Sequence, residues 1–388
     1  MIDVINSGGK PFGLGVIGMG GFAIYAAQQF LQHPGVKLVG IAGSTRAEAV
    51  TTARRFGAEQ FATIDELLAS PDVDIIYIAS PPFLHYPQSL MALAAGKHVI
   101  CEKPLAIDPA HGRELVEKAR AKNLLMVTNL MLRYAPLVGR VKQLIDQKLL
   151  GELLHGYFEN YAIDEGLGPD HWFWDREKSG GIFIEHGVHF FDMVASWIGN
   201  GEVVASQAIT RPAGGDRAGR PQEEQVNCTV RYGNASDGFK LFNFYHGFTQ
   251  TSRMEAQEMR LTFERGYLTL HEWVPTRLVL RGLLDETSTH ALLEIFPLAQ
   301  LDVDASFGAA NRSFRGRGKT FDAYQQIELT SGLGDEKQHL YSQALRRMFA
   351  DQLAAIRNPG NRRTLIEEDG LQSLITAASA DRMARPAM

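Results

Sequence analysis

The sequence contains little cysteine and no long apolar run. Its 388 residues include only 2 cysteines, Cys101 and Cys228, which lie far apart and suggest no disulfide framework. No apolar run reaches the roughly 18 to 20 residues needed to span a bilayer. The first residues also lack the basic start and apolar core of a secretory signal. From these absences we expect a protein of the reducing cytoplasm that crosses no membrane.

The sequence also lacks a strong excess of charge of either sign. The formal net charge is −5, and charged residues make up 21% of the chain. Nothing in this balance draws the chain to nucleic acid or to an anionic membrane, so we expect neither as a partner. The 45% hydrophobic fraction is ordinary for a globular protein, and the length predicts two domains, or three.

A glycine-rich turn stands between an apolar run and a helical pattern near the start of the chain. The turn reads Gly18, Met19, Gly20, Gly21, Phe22, Ala23. Phe22, Ala26 and Phe30 then recur at a spacing that predicts one helix face. Gly18 would allow the tight turn, and Gly20 would let the backbone approach a diphosphate at the positive end of the helix. The pattern alone also fits an ordinary glycine-rich turn, so its context has to decide.

The context is an alternation of strand and helix patterns over the first 130 residues. Apolar runs at 37–42, 72–79, 97–101 and 124–128 predict strands, with helices between them. This order predicts a doubly wound parallel sheet, which binds ligands at the carboxyl ends of its strands. The candidate cofactor contacts at that edge are Gly18, Gly20, Gly21, Phe22, Ser80, Pro81, His85, Glu102 and Lys103.

The turn after the second predicted strand bears on the choice of cofactor. In a dinucleotide fold this turn meets the adenosine ribose, where an acidic residue favours NAD. No acid is present; Ser44 and Thr45 offer hydroxyls, and Arg46 offers a guanidinium suited to a 2′-phosphate. We therefore predict NADP as the preferred cofactor, with NAD as the alternative. Ser44 or Thr45 could equally cap the helix that follows.

Beyond about residue 130 the pattern changes. Several strand patterns follow one another without helices between them, which predicts a large, open, mostly antiparallel sheet in a second α/β domain. We expect a long loop within 285–335 and two closing helices at 336–358 and 367–385. The domains are predicted at 1–130, for dinucleotide binding, and 131–388, for substrate binding and oligomerisation. The final helices could pack back on the first domain.

Lys103 is the first candidate catalytic residue. It follows a predicted parallel strand in Glu102-Lys103-Pro104, at the edge where the cofactor is expected. There it could donate a hydrogen bond to a substrate oxygen and stabilise negative charge on it. In most loops such a lysine is a solvated partner of the neighbouring glutamate, and the position at the cofactor edge is what favours catalysis.

A second candidate group lies in a predicted helix at 182–197. Glu185, His189 and Asp192 are spaced to share one helix face. A carboxylate beside an imidazole suits proton transfer, with His189 taking a hydroxyl proton. The same residues could form a buried helix in which Asp192 merely satisfies His189. A Glu-x-x-x-His pair gives two metal ligands and no clear third, so we predict no metal.

These motifs together resemble the Gfo/Idh/MocA oxidoreductases. The resemblance rests on four motifs in family order, which are Gly18-Met19-Gly20-Gly21, Ser80-Pro81-Pro82 with His85, Gly96-Lys97-His98-Val99 leading to Glu102-Lys103-Pro104, and Gly180-Gly181 with Glu185, His189 and Asp192. It implies a Rossmann domain followed by an α/β domain whose open sheet is often an oligomer interface. It also implies hydride transfer between a nicotinamide and a sugar or polyol carbon.

The resemblance also implies roles for individual residues. Lys103 lies near the reacting oxygen, His189 is the acid–base residue, and Glu102 touches the cofactor ribose. Arg133 and Tyr134 fall on the stretch that enters the substrate pocket, although an arginine there could also be structural. We further expect substrate contacts from Tyr161, Trp172 and Asp192. A homodimer or homotetramer is the expected assembly.

Two departures from the family pattern leave the substrate open. The acid four residues before His189 is usually aspartate, and Glu185 places its carboxylate about one bond length further out. The loop at 171–175 is rich in aromatic residues, which could stack on a sugar or simply pack together. Three other functions remain open: a redox-elimination glycosidase with a recycled cofactor, a sensor without catalysis, and a reductase of non-sugar carbonyls or dihydrodiols.

Overall fold

Six short strands near the start of the chain form a parallel sheet, as the sequence predicts. The computed structural model describes residues 10–43, 47–163, 166–168, 170–211, 222–236 and 238–385. The strands are β1 (Phe12–Ile17), β2 (Val36–Ala42), β3 (Glu59–Gln60), β4 (Ile75–Ile78), β5 (His98–Cys101) and β6 (Met126–Thr128). Their order in the sheet is β3-β2-β1-β4-β5-β6. Successive strands are therefore added on one side of β1 up to β3 and on its other side from β4 onward, which makes the β1–β4 boundary a topological switch point. Doubly wound sheets bind ligands at such a switch point.

Five helices connect these strands. They are α1 (Gly21–Phe30), α2 (Ala47–Arg55), α3 (Ile64–Ala69), α4 (His85–Ala94) and α5 (Pro109–Ala121). Local sequence explains two of the helix starts. Thr63 and Glu66 form a reciprocal capping box at α3, and Asp108 accepts from the Ala110 N–H at α5.

The predicted apolar face of α1 is wrong at one position. Ala26 and Phe30 are fully buried, whereas Phe22 is 39% exposed. Phe22 lies in the first turn of the helix, so the buried face begins at Ala23 instead.

The second unit is built on a nine-stranded sheet. Its strands and hairpin are β7 (Leu153–Ile163), β8 (Gly201–Arg211), β9 (Gln222–Asn234), β10 (Gly238–Gln250), β11 (Ala256–Phe263), β12 (Gly266–His271), β13 (Arg277–Leu284), β14 (Gln300–Ser306), β15 (Ser313–Gly316), β16 (Lys319–Asp322) and β17 (Gln325–Gly332). The sheet order is β14-β17-β13-β12-β11-β7-β10-β9-β8, and β15 pairs with β16 alone. Only β7 and β10 pair in parallel among the described strands of this sheet, so the mostly antiparallel prediction is confirmed.

The second unit also contains several helical elements. They are α6 (Pro136–Asp146), the short α7 (Arg176–Ser179), a π-helical turn (Phe183–Gly187) that continues into α8 (Val188–Ile198), and α9 (Glu286–Ile295). On β7, Phe158, Asn160 and Ala162 are buried and alternate with more exposed residues. The ring of Phe190 on α8 stacks on Phe158, with their centroids 3.7 Å apart. We call this the inner face, and the opposite one the outer face.

Two long helices close the described chain, α10 (Lys337–Arg357) and α11 (Glu367–Ala384). The chain divides into a first unit of residues 1–131 and 344–374 and a second unit of residues 132–343 and 375–388. Within the first unit, Phe349 of α10 stacks on Phe30 at 4.4 Å. Gly370 of α11 packs so closely on Thr128 that a Cβ would lie 2.1 Å from its Oγ1.

The prediction of a long loop within 285–335 is wrong. That region forms α9, β14, the β15–β16 hairpin and β17. No apolar period marks β14, because it is an edge strand with exposed residues at most positions. Among the described residues, the helices include none with the length and apolar character that crossing a bilayer requires.

Candidate active site

Gly18 directly follows β1, the strand at which the order of strands in the sheet switches from β3-β2-β1 to β4-β5-β6. Its φ of +78° lies in the left-handed region, and a Cβ there would lie 2.6 Å from the backbone nitrogen of Ser80. Any side chain at position 18 would therefore be strained and would collide with the turn after β4. Glycine at this position lets the turns after β1 and β4 approach each other.

The start of α1 is open toward solvent. Gly20 is the N-cap in an extended conformation, and no described side chain caps the helix. A Cβ at Gly21 would meet no atom of the described residues within 4 Å, and Phe22 is exposed beside it. Unpaired N–H groups at a helix start bind phosphate oxygens, so Gly20, Gly21 and the first turn fit the diphosphate of a dinucleotide.

The turn after β4 is held in place by His85. Its ring nitrogens lie 2.8 Å from the Ser80 carbonyl oxygen and 2.6 Å from the Pro104 carbonyl oxygen. The residue is 1% exposed, so it joins two turns at the strand ends. Ser80 itself donates from Oγ to Gln88 Oε1 at 2.6 Å, and Pro81 precedes a 3-10 turn.

Glu102 lies buried directly after β5. Its Oε1 accepts hydrogen bonds from the Tyr77 hydroxyl at 2.5 Å and from Asn129 Nδ2 at 2.7 Å. Burial raises the pKa of this carboxyl, while both hydrogen bonds and the nearby Lys103 act in the opposite direction. The carboxylate thus anchors the turn. The partly exposed Lys103 follows Glu102 directly, and the peptide bond from Lys103 to Pro104 is cis.

The predicted ribose-binding residues Ser44, Thr45 and Arg46 lie outside the described residues. Gly43, the last described residue before them, has a φ of +70°. The prediction that this turn selects NADP stays a prediction.

Two residues of the second candidate catalytic group, Glu185 and His189, lie where a π-helical turn leads into α8. Gly180 and Gly181 both have left-handed φ angles, of +87° and +84°, and the π-helical turn follows them. Glu185 lies in that turn, whereas His189 lies in the α-helix that continues it. Both are nearly buried, at 6% and 7% exposed. Glu185 Oε2 also lies 3.4 Å from Nδ1 of the neighbouring His186.

His189 lies beside an aromatic side chain that the sequence reasoning missed. The Trp273 ring centroid is 6.0 Å from that of His189, and Trp273 also packs edge-on against Tyr341. Trp273 lies in the connection between β12 and β13. A tryptophan in a short turn between two strands is an unusual feature that the sequence shows. Because Trp273 is far from His189 in the chain, the sequence does not show that the two residues are in contact.

Asp192 pairs with Arg133. The Arg133 Nε lies 2.9 Å from Asp192 Oδ2, and its Nη2 lies 2.7 Å from Oδ1, which is a two-pronged ion pair. The side chains are 1% and 11% exposed for Asp192 and Arg133. The structure thus joins two predicted substrate residues to each other, and it places Tyr134 next to Arg133 in a 3-10 turn.

The other predicted substrate residues are placed differently. Tyr161 points to the outer face of the sheet, where its hydroxyl donates to Glu159 at 2.7 Å; that bond and burial raise its pKa to about 12. Since α8 packs on the inner face, this placement argues against a substrate contact of Tyr161 near His189. Trp172 lies in a 3-10 turn with Phe173 and Trp174.

A cavity of ≈ 130 Å³ opens beside Glu185. Its lining combines aromatic rings with charged groups and hydroxyls: Phe173, Trp174, Arg176, Ser179, Gly181, Ile182, Glu185, Thr210, Glu223 and Arg385. Phe173 and Trp174 supply its aromatic wall, and Trp172 is not among the lining residues. Within the described part of the chain, no cluster of three or more His, Cys, Asp or Glu side chains could hold a metal ion.

Two family models match this chain. Residues 12–130 match the oxidoreductase family with an NAD-binding Rossmann fold, named GFO_IDH_MocA, and residues 138–269 match the GFO/IDH/MocA C-terminal domain. This chain belongs to the Gfo/Idh/MocA oxidoreductases. The NAD(P)-binding Rossmann fold expected from the sequence is thereby confirmed.

Curated relatives of the family cover part of the chain. A D-xylose 1-dehydrogenase (NADP(+)) of Hypocrea jecorina is 28% identical over 203 residues, which is 47% of this chain and 52% of the relative. A scyllo-inositol 2-dehydrogenase (NAD(+)) of Bacillus subtilis is 27% identical over 186 residues, 47% of this chain and 53% of the relative. The alignments span about half the length of the curated relatives.

The fold as a whole is shared with solved family structures. A levoglucosan dehydrogenase in complex with NADH and levoglucosan aligns over 97% of both chains with a TM-score of 0.73. At 18% identity this likeness establishes the fold alone.

Proposed function

We propose that the protein is an NAD(P)-dependent dehydrogenase or reductase of a sugar, cyclitol or sugar derivative. The observation that carries this proposal is the turn after β5, where buried Glu102 anchors Lys103 at the same strand edge as the open start of α1. The named relatives that act on xylose and scyllo-inositol support this substrate class.

The residues of this chain have separable roles in such a reaction. Bound NAD(P) supplies the hydride acceptor of oxidation or the hydride donor of reduction. Lys103 donates a hydrogen bond to the substrate oxygen and stabilises the negative charge that develops on it. In oxidation, the neutral imidazole of His189 takes the hydroxyl proton as the carbon loses its hydride, and in reduction it returns that proton. Glu185 supplies a carboxylate near this proton transfer.

The cofactor side of the proposal rests on the first unit. Gly18, Gly20 and Gly21 would admit the diphosphate, with Phe22, Ser80 and Pro81 bordering it. His85 would act by holding the turns that carry Ser80 and Pro104. Glu102 would act by holding the turn that carries Lys103.

The substrate side rests on the second unit. We propose that Arg133, fixed by Asp192, and Tyr134 contact the substrate. We also propose that Phe173 and Trp174, which line the cavity beside Glu185, replace Trp172 as its aromatic wall. Aromatic faces suit the C–H faces of a sugar ring, and the Ser179 and Thr210 hydroxyls suit its hydroxyl groups.

A fluorescence titration tests the cofactor proposal. The protein is first checked for cofactor carried through purification and is then titrated with NADPH and NADH while tryptophan emission is followed. NADPH binding at least about tenfold tighter, or about 1.4 kcal/mol, supports selection by Ser44, Thr45 and Arg46. Tighter NADH binding contradicts that selection. Cofactor that is already bound and does not exchange would favour a redox-elimination glycosidase.

A further inference from the structure

A side chain from β9 holds the first turn of the helix that carries Glu185 and His189. The Ile182 N–H donates to Glu223 Oε1 at 2.9 Å. A Cβ at Gly181 would lie 3.2 Å from the same oxygen, so glycine there leaves room for the carboxylate. Glu223 lies opposite Thr210 at the β8–β9 end of the sheet, 41 residues away from Ile182 in the chain.

Arg385, the residue after α11, in turn holds Glu223. It forms ion pairs with Glu223 and with Asp381 of the preceding helical turn, and Asp381 also pairs with Arg176 of α7. Burial and the nearby charge of Arg176 lower the pKa of Arg385 to about 10, so it keeps its charge at neutral pH. The ion pairs therefore run from the end of α11 to the start of the π-helical turn.

The same charged groups face the candidate substrate cavity. Glu223, Arg385 and Arg176 line it together with Glu185 and Trp174. π-helical turns are rarer and less regular than α-helical ones, so this start depends on contacts from outside the helix. A displacement of about 1 Å at a reacting group can cost about 100-fold in rate.

We propose that Glu223 and Arg385 are positioning residues that fix Glu185 at the candidate substrate cavity and, through the π-helical turn that continues into α8, also fix His189. Glu223 binds the Ile182 N–H, and Arg385 keeps Glu223 in place. The catalytic part of this inference rests on the proposed function, because Glu185 and His189 matter there as proton-transfer groups. The holding of the turn does not depend on it.

Hydrogen exchange measures the holding of the turn without any substrate. In Glu223→Ala and Arg385→Met, we expect the amides of residues 182–187 to exchange about tenfold faster or more, because the helix start loses its external hydrogen bond. Arg385→Lys keeps the charge and should restore most of the protection. Arg382→Met is the matched control, because Arg382 is exposed on the same helix, and it should leave exchange unchanged.

Kinetics then measure the consequence for catalysis. With a sugar or polyol that the wild type oxidises, Glu223→Ala and Arg385→Met should each lower kcat about tenfold or more. The dissociation constant for the cofactor should stay unchanged. The double variant Glu223→Ala/Arg385→Met should be no slower than Glu223→Ala alone, since Arg385 acts through Glu223. Arg385→Lys should recover kcat.

Distinct results separate the possible failures. Unchanged exchange at 182–187 in Glu223→Ala overturns the inference, whatever the activity. Faster exchange with unchanged kcat restricts Glu223 to a structural role and also overturns it. A wild type that oxidises or reduces no substrate contradicts the proposed function, while the exchange result still decides whether Glu223 and Arg385 hold the turn.

Discussion

At the scale of single residues, the ion pair of Arg133 with Asp192 has a consequence for stability. Asp192 is nearly inaccessible to water, and two nitrogens of Arg133 contact its carboxylate. Arg133→Met would leave a buried negative charge without its guanidinium partner, which typically costs about 3–5 kcal/mol. We expect urea unfolding to show a loss of that size at neutral pH.

The double variant Arg133→Met/Asp192→Asn is the control for this loss. It removes the buried charge together with its partner, so its free energy of unfolding should lie above that of Arg133→Met alone. If the two variants are equally unstable, the loss comes from packing of the arginine stem, and the account of the ion pair is wrong.

His246 predicts a pH dependence of stability. It is fully buried on the inner face among Phe158 and Phe190, and neither ring nitrogen has a hydrogen-bond partner among the described residues. Burial, with a smaller contribution from His186, holds its pKa well below the usual value. Below about pH 6.5 the unfolded chain therefore binds a proton that the native state excludes, and stability falls as the pH falls.

The variant His246→Phe removes that proton from the unfolded state. Between about pH 7 and about pH 5, we expect it to lose about 1–2 kcal/mol less of its free energy of unfolding than the wild type. Urea unfolding at both pH values measures the difference. Parallel losses in the two proteins would show that His246 titrates normally in the folded state.

At the scale of elements, the π-helical turn that leads into α8 depends on Gly181 just before it. Alanine there would carry both a left-handed backbone and a close contact with the Glu223 carboxylate. We expect Gly181→Ala to lose about 1–2 kcal/mol of stability from the backbone alone and to lose activity as Glu223 is displaced. Thermal unfolding and steady-state kinetics measure the two effects.

Gly334→Ala is the matched control for Gly181→Ala. Gly334 also has a left-handed φ, of +69°, but in the part of the chain that the structure describes no atom lies within 4 Å of its added Cβ. It should therefore lose stability from the backbone and keep full activity. Equal activity of the two variants would contradict the argument that space at Gly181 matters for Glu223.

Elements marked by apolar runs or a clear apolar period could be predicted from the sequence, whereas those of the region 285–335 could not. Most strands of the first sheet and α8 have continuous or periodic apolar residues, and the sequence predicts them within a few residues of their bounds. The exposed two-residue strand β3 has no apolar residue, and the sequence does not predict it. On β14, exposed Asp302 and Asp304 flank a half-exposed Val303, so no apolar period marks the strand. Contacts between distant segments, such as that of Arg133 with Asp192, leave no trace in local sequence.

At the scale of the whole molecule, we propose that the outer face of the nine-stranded sheet joins copies of the chain. Phe239 and Leu241 of β10 are 54% and 45% exposed on that face, beside the ion pair of Arg231 with Glu202. A dimer or tetramer of the 42.9 kDa chain is expected in sedimentation equilibrium. Leu241→Glu should shift it toward monomer, because a charge opposes burial of that face.

Leu298→Glu is the control for the assembly. Leu298 is 84% exposed but lies between α9 and β14 rather than on β10. The same charge there should leave the mass unchanged. A wild-type protein that sediments as a monomer at all concentrations would contradict the proposed assembly.

The central claim is that this protein moves a hydride between a nicotinamide cofactor and a hydroxyl-bearing carbon with the help of Lys103. The most direct measurement follows the reduction of NADP⁺ and NAD⁺ in the presence of single pentoses, hexoses and inositols, with wild type and Lys103→Met side by side. We predict substrate-dependent reduction by the wild type and a loss of about 10²- to 10⁴-fold in kcat/KM in Lys103→Met, with cofactor binding retained. Reduction that proceeds equally well in Lys103→Met, or that no sugar or polyol elicits from the wild type, would contradict the account.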